Sequence, residues 1–193
     1  MECPLGYGKS TIDTTTLDTQ ATTTVATATE TVLSKERKES PIPTKEGGRW
    51  TYPSPHQFHA ATKAKGHTID AREVPVIVDI HNAVNDEAWH RISAIEAKTH
   101  PECKDLRLVR FVGRPGDRSV KAKMMEKLLG WQEPFDRHDW LVDRCGQAKV
   151  RYIVDFYDGK PVAGRPDLVP VFIDARPALD TWGSLMDRWK ILW

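Results

Sequence analysis

The 193-residue sequence predicts an α+β domain: one small antiparallel sheet and several packed helices, preceded by a disordered tail. Three observations point there. Strand-like runs rich in β-branched and aromatic residues end in local turn signals, the mark of hairpins rather than of alternating crossovers. Helical runs with their own start and stop residues are segregated from these strands. Upstream of both, eleven Thr between Ser10 and Ser34, with no aromatic among them, make a stretch too poor in apolar surface to offset the entropy of ordering it. The boundary is drawn at residue 40, giving a Thr-rich tail over 1–40 and a single domain over 41–193.

Taken in order, the segments around Pro41, Pro43 and Pro53 read as extended chain and turns, because each Pro biases its predecessor away from the helix. Ser54 followed by Pro55 opens a helix over 55–65 that Gly66 stops. Asp70 caps a second helix, delayed by Pro75, whose Val76, Ile77 and Ile80 lead into His81. A third, over 85–98, places Ala88, Trp89, Ile92 and Ile95 at helical spacing. Residues 106–112 read as a strand ended by Gly113, 119–129 as a helix ended by Gly130, and 150–157 as a strand ended by Asp158-Gly159. Residues 168–174 read as a further strand. The last segment, 177–193, sets Leu179, Trp182, Met186, Trp189 and Trp193 on one helical stripe, expected to pack onto the sheet.

Charge and cysteine usage exclude several function classes. The total of 28 Lys+Arg against 27 Asp+Glu removes the polycation argument for nucleic-acid binding. One Lys against four acids in residues 1–34 leaves a net of +4 on residues 35–193, which also hold all seven Trp. The leader does not read as a mitochondrial presequence, being poor in Arg and relatively acidic, nor as a secretory signal. No apolar run approaches the ~20 residues of a spanning helix. Cys3, Cys103 and Cys145 form no Cys-x-x-Cys pair, so neither a disulfide framework nor a thiolate zinc site is expected.

Chemistry-bearing residues concentrate in two places. His81 ends an apolar run, and Asn85 follows one helical turn later, where its amide would fix the imidazole tautomer. A capped helix junction is the plainer reading of the same residues. Asp136, Arg137, His138, Asp139, Trp140, Asp143 and Arg144 crowd nine positions, as either a solvated strand edge or a polar site beside an apolar pocket. Spacing alone favours the edge. His100 and Cys103 together amount to half a zinc site.

Several blocks in register then resemble one family. Ile80-His-Asn-x-x-Asn-Asp86-Glu-Ala-Trp89, Pro134-Phe-Asp-Arg-His-Asp-Trp140, Asp143-Arg-Cys-Gly146, Val150-Arg-Tyr152, Asp155-x-Tyr-Asp-Gly159 and Asp174-x-Arg-Pro-Ala-Leu-Asp180 look like holocytochrome c synthase, the mitochondrial cytochrome c haem lyase. Trp50-x-Tyr-Pro-Ser54 and Ile42-Pro43 match upstream, so the resemblance covers about 41–193. It implies an enzyme of the mitochondrial intermembrane space, peripheral on the inner membrane, that binds haem b and apocytochrome c. Such an enzyme joins the haem vinyl groups to the thiols of a Cys-x-x-Cys-His segment. Cytochrome c1 as a further substrate stays open, and no nucleic-acid partner is implied.

Carried over by position, the haem-ligating His falls on His81, the sole iron ligand from the chain, and a second signature His on His138. The family's acid falls on Asp86, where relatives commonly have Glu, and a signature Arg on Arg144. His81, Asp86 and Arg144 are thus the expected catalytic residues. The haem-binding set comprises His81, His138, Trp50, Asn85, Arg137, Trp140 and Cys3, the last in a single Cys-Pro pair where relatives often have more. In this reading Arg137 and Arg144 meet the haem carboxylates, while Trp50 and Trp140 wall the porphyrin. His59 and His67 stand where relatives often carry large aromatics. Two other classes compete: a non-catalytic haem-binding carrier or sensor, and a peripheral membrane module built on the C-terminal Trp stripe.

Overall fold

The computed structural model describes residues 32–114, 116–160 and 170–192. Their elements run β1 (Glu39–Pro43), β2 (Arg49–Thr51), α1 (Pro55–Ala64), α2 (Val74–Thr99), β3 (Leu106–Gly113), α3 (Val120–Leu129), β4 (Asp136–Arg144), β5 (Ala148–Asp158), β6 (Val171–Pro177) and α4 (Trp182–Leu192). The α+β expectation holds: β3-β4-β5-β6 form an all-antiparallel sheet in chain order, and β1-β2 a separate hairpin. A parallel bridge from Thr44 to Leu108 seats that hairpin against β3. The Thr-rich stretch, Cys3 and part of the strand expected over 168–174 fall outside the described residues. Packing reaches upstream of residue 39: Leu33 is buried beside Phe58, Val74 and Val78, and Arg37 bonds the carbonyls of Thr51 and Tyr52.

Helix ends follow the local chemistry. Ser54 accepts from the Gln57 amide while the Gln57 side chain accepts from the Ser54 amide, a reciprocal cap that starts α1. Ser119 caps α3, and Gly130 at φ 63° closes it in the left-handed region that glycine tolerates.

Four expectations are corrected. The two helices predicted around His81 are one, the 26-residue α2. Pro75 sits within the first turn, where its missing N–H leaves no bond unmade, and no residue between Ile80 and Asn85 interrupts the ladder. The 133–146 segment is no solvated edge: β4 is hydrogen-bonded on both sides, and its residues 136–140 are all buried. The last helix starts at Trp182 rather than near Pro177, which ends β6 instead. Of its stripe, Leu179, Trp182, Met186 and Trp189 are exposed, Trp182 at 77%, and Trp193 lies outside the described residues. Finally, Cys103 and Cys145 are joined in a disulfide across 42 residues, a pairing that a search for local Cys motifs cannot see.

The core lies on one face of the four-stranded sheet. Trp140, Val142, Val150, Tyr152, Val154, Phe156 and Ile173 meet Ala88, Trp89 and Ile92 of α2 and Ile42 of β1. A second, smaller cluster gathers Leu33, Phe58, Val74 and Val78 about the start of α2. One helix therefore spans both apolar clusters.

Candidate functional site

The buried side of α2 reads Val74, Val78, Asn82, Asn85, Ala88, Trp89, Ile92, Glu96 and Thr99. Its apolar members serve the two clusters, and a polar turn, His81 to Asp86, falls between them. A helix crossing a dry core would be apolar there. Instead Asn82 is 7% exposed with neither amide atom hydrogen-bonded, and Asn85 is 2% exposed with its Oδ1 unpartnered. Buried amides without partners are rare and costly, so this gap has the character of a site prepared for something polar.

His81 is half-buried and rests against the Phe58 ring, centroids 5.9 Å apart. Asn85 Nδ2 lies 3.2 Å from His81 Nδ1 and donates to the His81 carbonyl at 3.0 Å. In that arrangement Nδ1 accepts, which puts the ring proton on Nε2. For Nε2 to bind a metal, the proton has to pass to Nδ1 and the amide to turn, presenting Oδ1 as its acceptor. The Oδ1 atom has no other partner to lose.

Asp86, half-buried, accepts at 2.6 Å from the Tyr52 hydroxyl, which also reaches the Asn82 carbonyl. Burial, then the adjacent Asp86, push the Tyr52 phenol well above its ordinary pKa. The bond ties the chain just after β2 to α2 and orients the carboxylate. Tyr52 and Asn82 were both missed by sequence reasoning. An amide interrupting an apolar stripe was the available signal for Asn82.

Flat side chains continue from the gap toward the sheet. Trp89, one turn beyond Asn85, stacks on Trp140 at 6.4 Å; Trp140 stacks on Phe111 at 5.3 Å, and Phe111 meets Trp50 at 5.0 Å. The indole nitrogens of Trp50 and Trp140 are both buried without a partner. These expected haem-wall residues are thus brought onto the same side of the sheet as α2.

Of the remaining expected residues, His138 joins this aromatic side of the sheet, while Arg137 and Arg144 are placed elsewhere. His138 is 2% exposed, bonded through Nε2 to Asp136 at 3.0 Å and set between Phe111 and Phe156. Arg137 projects to the opposite face of β4, where it bonds Asp139 and the Asp117 carbonyl. It borders an open cavity of about 260 Å³, lined also by Arg114, Arg118 and Phe135, below the roughly 300–1,000 Å³ of ligand pockets and not including His81. Arg144 is not brought to His81. It bonds Glu96 at 2.6 and 2.8 Å and Asp187 at 2.8 Å, fifteen residues along α2, about 22 Å at the helical rise. Burial alone would lower its pKa; the hydrogen bonds to Glu96 and Asp187 outweigh burial and raise it.

Among the described residues no group of three or more His, Cys, Asp or Glu is placed to hold a metal ion. A single oriented imidazole suits a metal that arrives already ligated. One oriented imidazole, unpartnered amide atoms and stacked indoles together have the chemistry to face a flat ligand with a polar centre. Residues 15–192 match the family model described as cytochrome c/c1 heme lyase, and the chain belongs to that family.

Relatives named in these terms cover most of the chain. It is 39% identical over 163 residues to a probable holocytochrome-c-type synthase of Caenorhabditis elegans, covering 81% of this chain and 58% of the relative. It is 35% identical over 204 residues to the holocytochrome c-type synthase of Homo sapiens, covering 100% and 75%. A putative holocytochrome-c1 synthase of Schizosaccharomyces pombe is 41% identical over 169 residues, covering 82% and 76%. The chain spans between half and three quarters of the length of the first relatives it matches. No solved structure matches it.

Proposed function

We propose that this chain attaches haem b covalently to apocytochrome c. Each vinyl group takes one Cys thiol of a Cys-x-x-Cys-His segment: a C–S bond forms at one vinyl carbon, the thiol proton goes to the other, and no electrons are gained or lost overall. Such an addition needs orientation above all, two thiols held against two vinyls in one handedness. Haem and apocytochrome c are both substrates. Cytochrome c1 stays a candidate, since the names of the relatives include synthases for both.

The observation that carries the reading is the polar turn of α2, with His81 positioned by Asn85 beside amides and indoles that lack partners. In this reading His81 Nε2 takes one axial position on the haem iron, after the tautomer exchange that Asn85 permits. Trp50 and Trp140 flank the porphyrin, and Asp86 is fixed by Tyr52 on the same turn. The substrate His takes the opposite axial position and brings its neighbouring thiols over the vinyls. His138 supports this region from the core face of β4, Arg137 lies on the strand's other face, and Arg144 holds the far end of α2. The Cys103–Cys145 disulfide accords with an oxidising compartment, which the intermembrane space is in this proposal, with peripheral contact on the inner membrane.

Co-expression with apocytochrome c tests the reading. Haem that stays on the cytochrome through acid-acetone extraction is expected with the natural sequence. With His81→Ala, both that product and the axially ligated haem spectrum of this protein should disappear. Haem bound only to this protein, with none transferred, would favour the carrier alternative. Unchanged activity in His81→Ala would refute the ligand assignment.

A further inference from the structure

We propose that the outward face of α4 is the surface by which this protein rests on an anionic membrane. The helix is mounted back to front. Asp187 and Ser184, at 3% and 5% exposure, point inward; Asp187 bonds Arg144 and His100, and the neighbouring Arg188 donates to the Pro177 carbonyl. Trp182, Leu185 and Met186 point outward at 77%, 42% and 44% exposure. Trp189 shares their face, and Leu179, just ahead of the helix, is 58% exposed. A helix serving only the fold turns its apolar stripe to the core and its charges to water. This one buries a carboxylate in a charged clasp, an arrangement that is weak evidence for stability in itself, and leaves its largest apolar side chains in solvent.

The charge around the stripe selects the occupant. Lys98 and Lys190 are exposed at the end of the helix, each bonded to a backbone carbonyl across the α2–α4 contact. Of the nearby carboxylates, Asp187 is paired with Arg144 and Asp180 with Arg151, and Glu102 hydrogen-bonds the His100 ring. An apolar, Trp-bearing stripe with a basic rim is the composition of an interfacial helix, which lies in the headgroup layer and draws on anionic lipid. A second copy fits less well, because a two-fold contact would bring the same exposed Lys residues together, whereas anionic lipid offsets their charge. A lipid surface also requires no shape complementarity. Among the described helices none is long and apolar enough to cross a membrane, so the contact is one of lying on the surface.

The inference builds on the membrane contact in the function proposed above and is independent of the haem chemistry. Flotation of the full chain with phosphatidylcholine vesicles, with and without phosphatidylglycerol, tests it. The natural sequence is expected to float with the anionic vesicles. The triple variant Trp182→Ser, Leu185→Ser, Met186→Ser should partition about tenfold less, with an unchanged circular dichroism spectrum and melting curve. Trp182→Ser alone, at the most exposed of the three positions, should show a smaller loss in the same direction. Met124→Ser with Leu128→Ser, on the exposed apolar side of α3, should float like the natural sequence. Four results overturn the proposal: no flotation of the natural chain, equal flotation of the α4 variants, loss confined to the α3 variant, or a dimer in sedimentation that the triple variant dissociates. Holocytochrome formed in co-expression despite failed flotation would separate the two readings, leaving the function and removing the surface.

Discussion

A phenol buried against a carboxylate holds its proton late, and Tyr52 and Tyr152 are both in that position. Burial is the main cause for each, joined by Asp86 at Tyr52 and by Glu96 at Tyr152, whose hydroxyl donates to Glu96 at 2.6 Å. In the unfolded chain a phenol ionises near pH 10. Because the folded state binds these protons more tightly, their stabilisation is complete below that value and is lost as pH rises above it. Tyr157, less buried, is raised only to about 12. An alkaline titration followed by phenolate absorbance should show no signal from Tyr52 or Tyr152 until near-ultraviolet circular dichroism collapses with it. All tyrosines ionising near pH 10 in a still-folded chain would contradict this. At this scale the sequence was partly legible. The His81–Asn85 contact follows from helical spacing alone. Tyr52 and Asn82 do not, because their meaning depends on β2 lying against α2, a tertiary event between residues thirty apart.

β4 and its hairpin show what a dense polar motif does when it is woven into a sheet. Asp136, His138, Trp140, Val142 and Arg144 share the core face, and Arg137, Asp139, Leu141 and Asp143 the other. Buried charges find counter-charges within the fold: Asp139 on Arg137 of its own strand and on Arg114 and Arg151, and Arg144 on Glu96 and Asp187. Alternation of charge and apolar residues suggested an exposed edge, because the rule assumes that water is the only partner for a charge. The turn that follows has φ 52° at Cys145 and 73° at Gly146, and the Gln147 amide closes it on the Arg144 carbonyl. Asp143-Arg-Cys-Gly146 is therefore a hairpin device that carries a clasp and a disulfide. Removing the clasp's cation leaves two carboxylates buried together. Arg144→Met is expected to cost about 3–5 kcal/mol in urea unfolding, with α4 the first element to lose amide protection. A loss below about 1 kcal/mol would mean the cluster is better solvated than its burial implies. The long helix α2 was read as two, since Pro75 and the polar turn around His81 each resemble a boundary when tertiary support is invisible.

At the scale of the whole molecule, the Cys103–Cys145 bond fastens the chain just beyond the α2 C-terminus to the β4–β5 turn. Closing a loop of 42 residues reduces the freedom of the unfolded chain, by about 2–4 kcal/mol in native stability. Reduction, or Cys145→Ser, should lower the urea midpoint accordingly without changing the fold. Protein recovered from its own compartment under acid quench should resist thiol alkylation at both positions. A fully reduced native pool would place the chain in a reducing environment and count against the proposed location. The α+β class, the strand runs and most helices could be read from periodicity and caps. The outward turn of α4 could not, since a stripe of Trp, Leu and Met looks the same whether it faces a sheet or a lipid.

The indoles end up in contrasting environments. Trp89 and Trp140 stack in the core at 8% and 0% exposure, beside the proposed haem wall, while Trp182 stands in solvent at the far end of the chain. Blue emission from the first pair would be extinguished by energy transfer when a porphyrin arrives. Red emission from the second would shift on contact with lipid. With Trp131, which is also exposed, replaced by Phe, the fluorescence of the unlabelled protein can therefore report on both loading and docking.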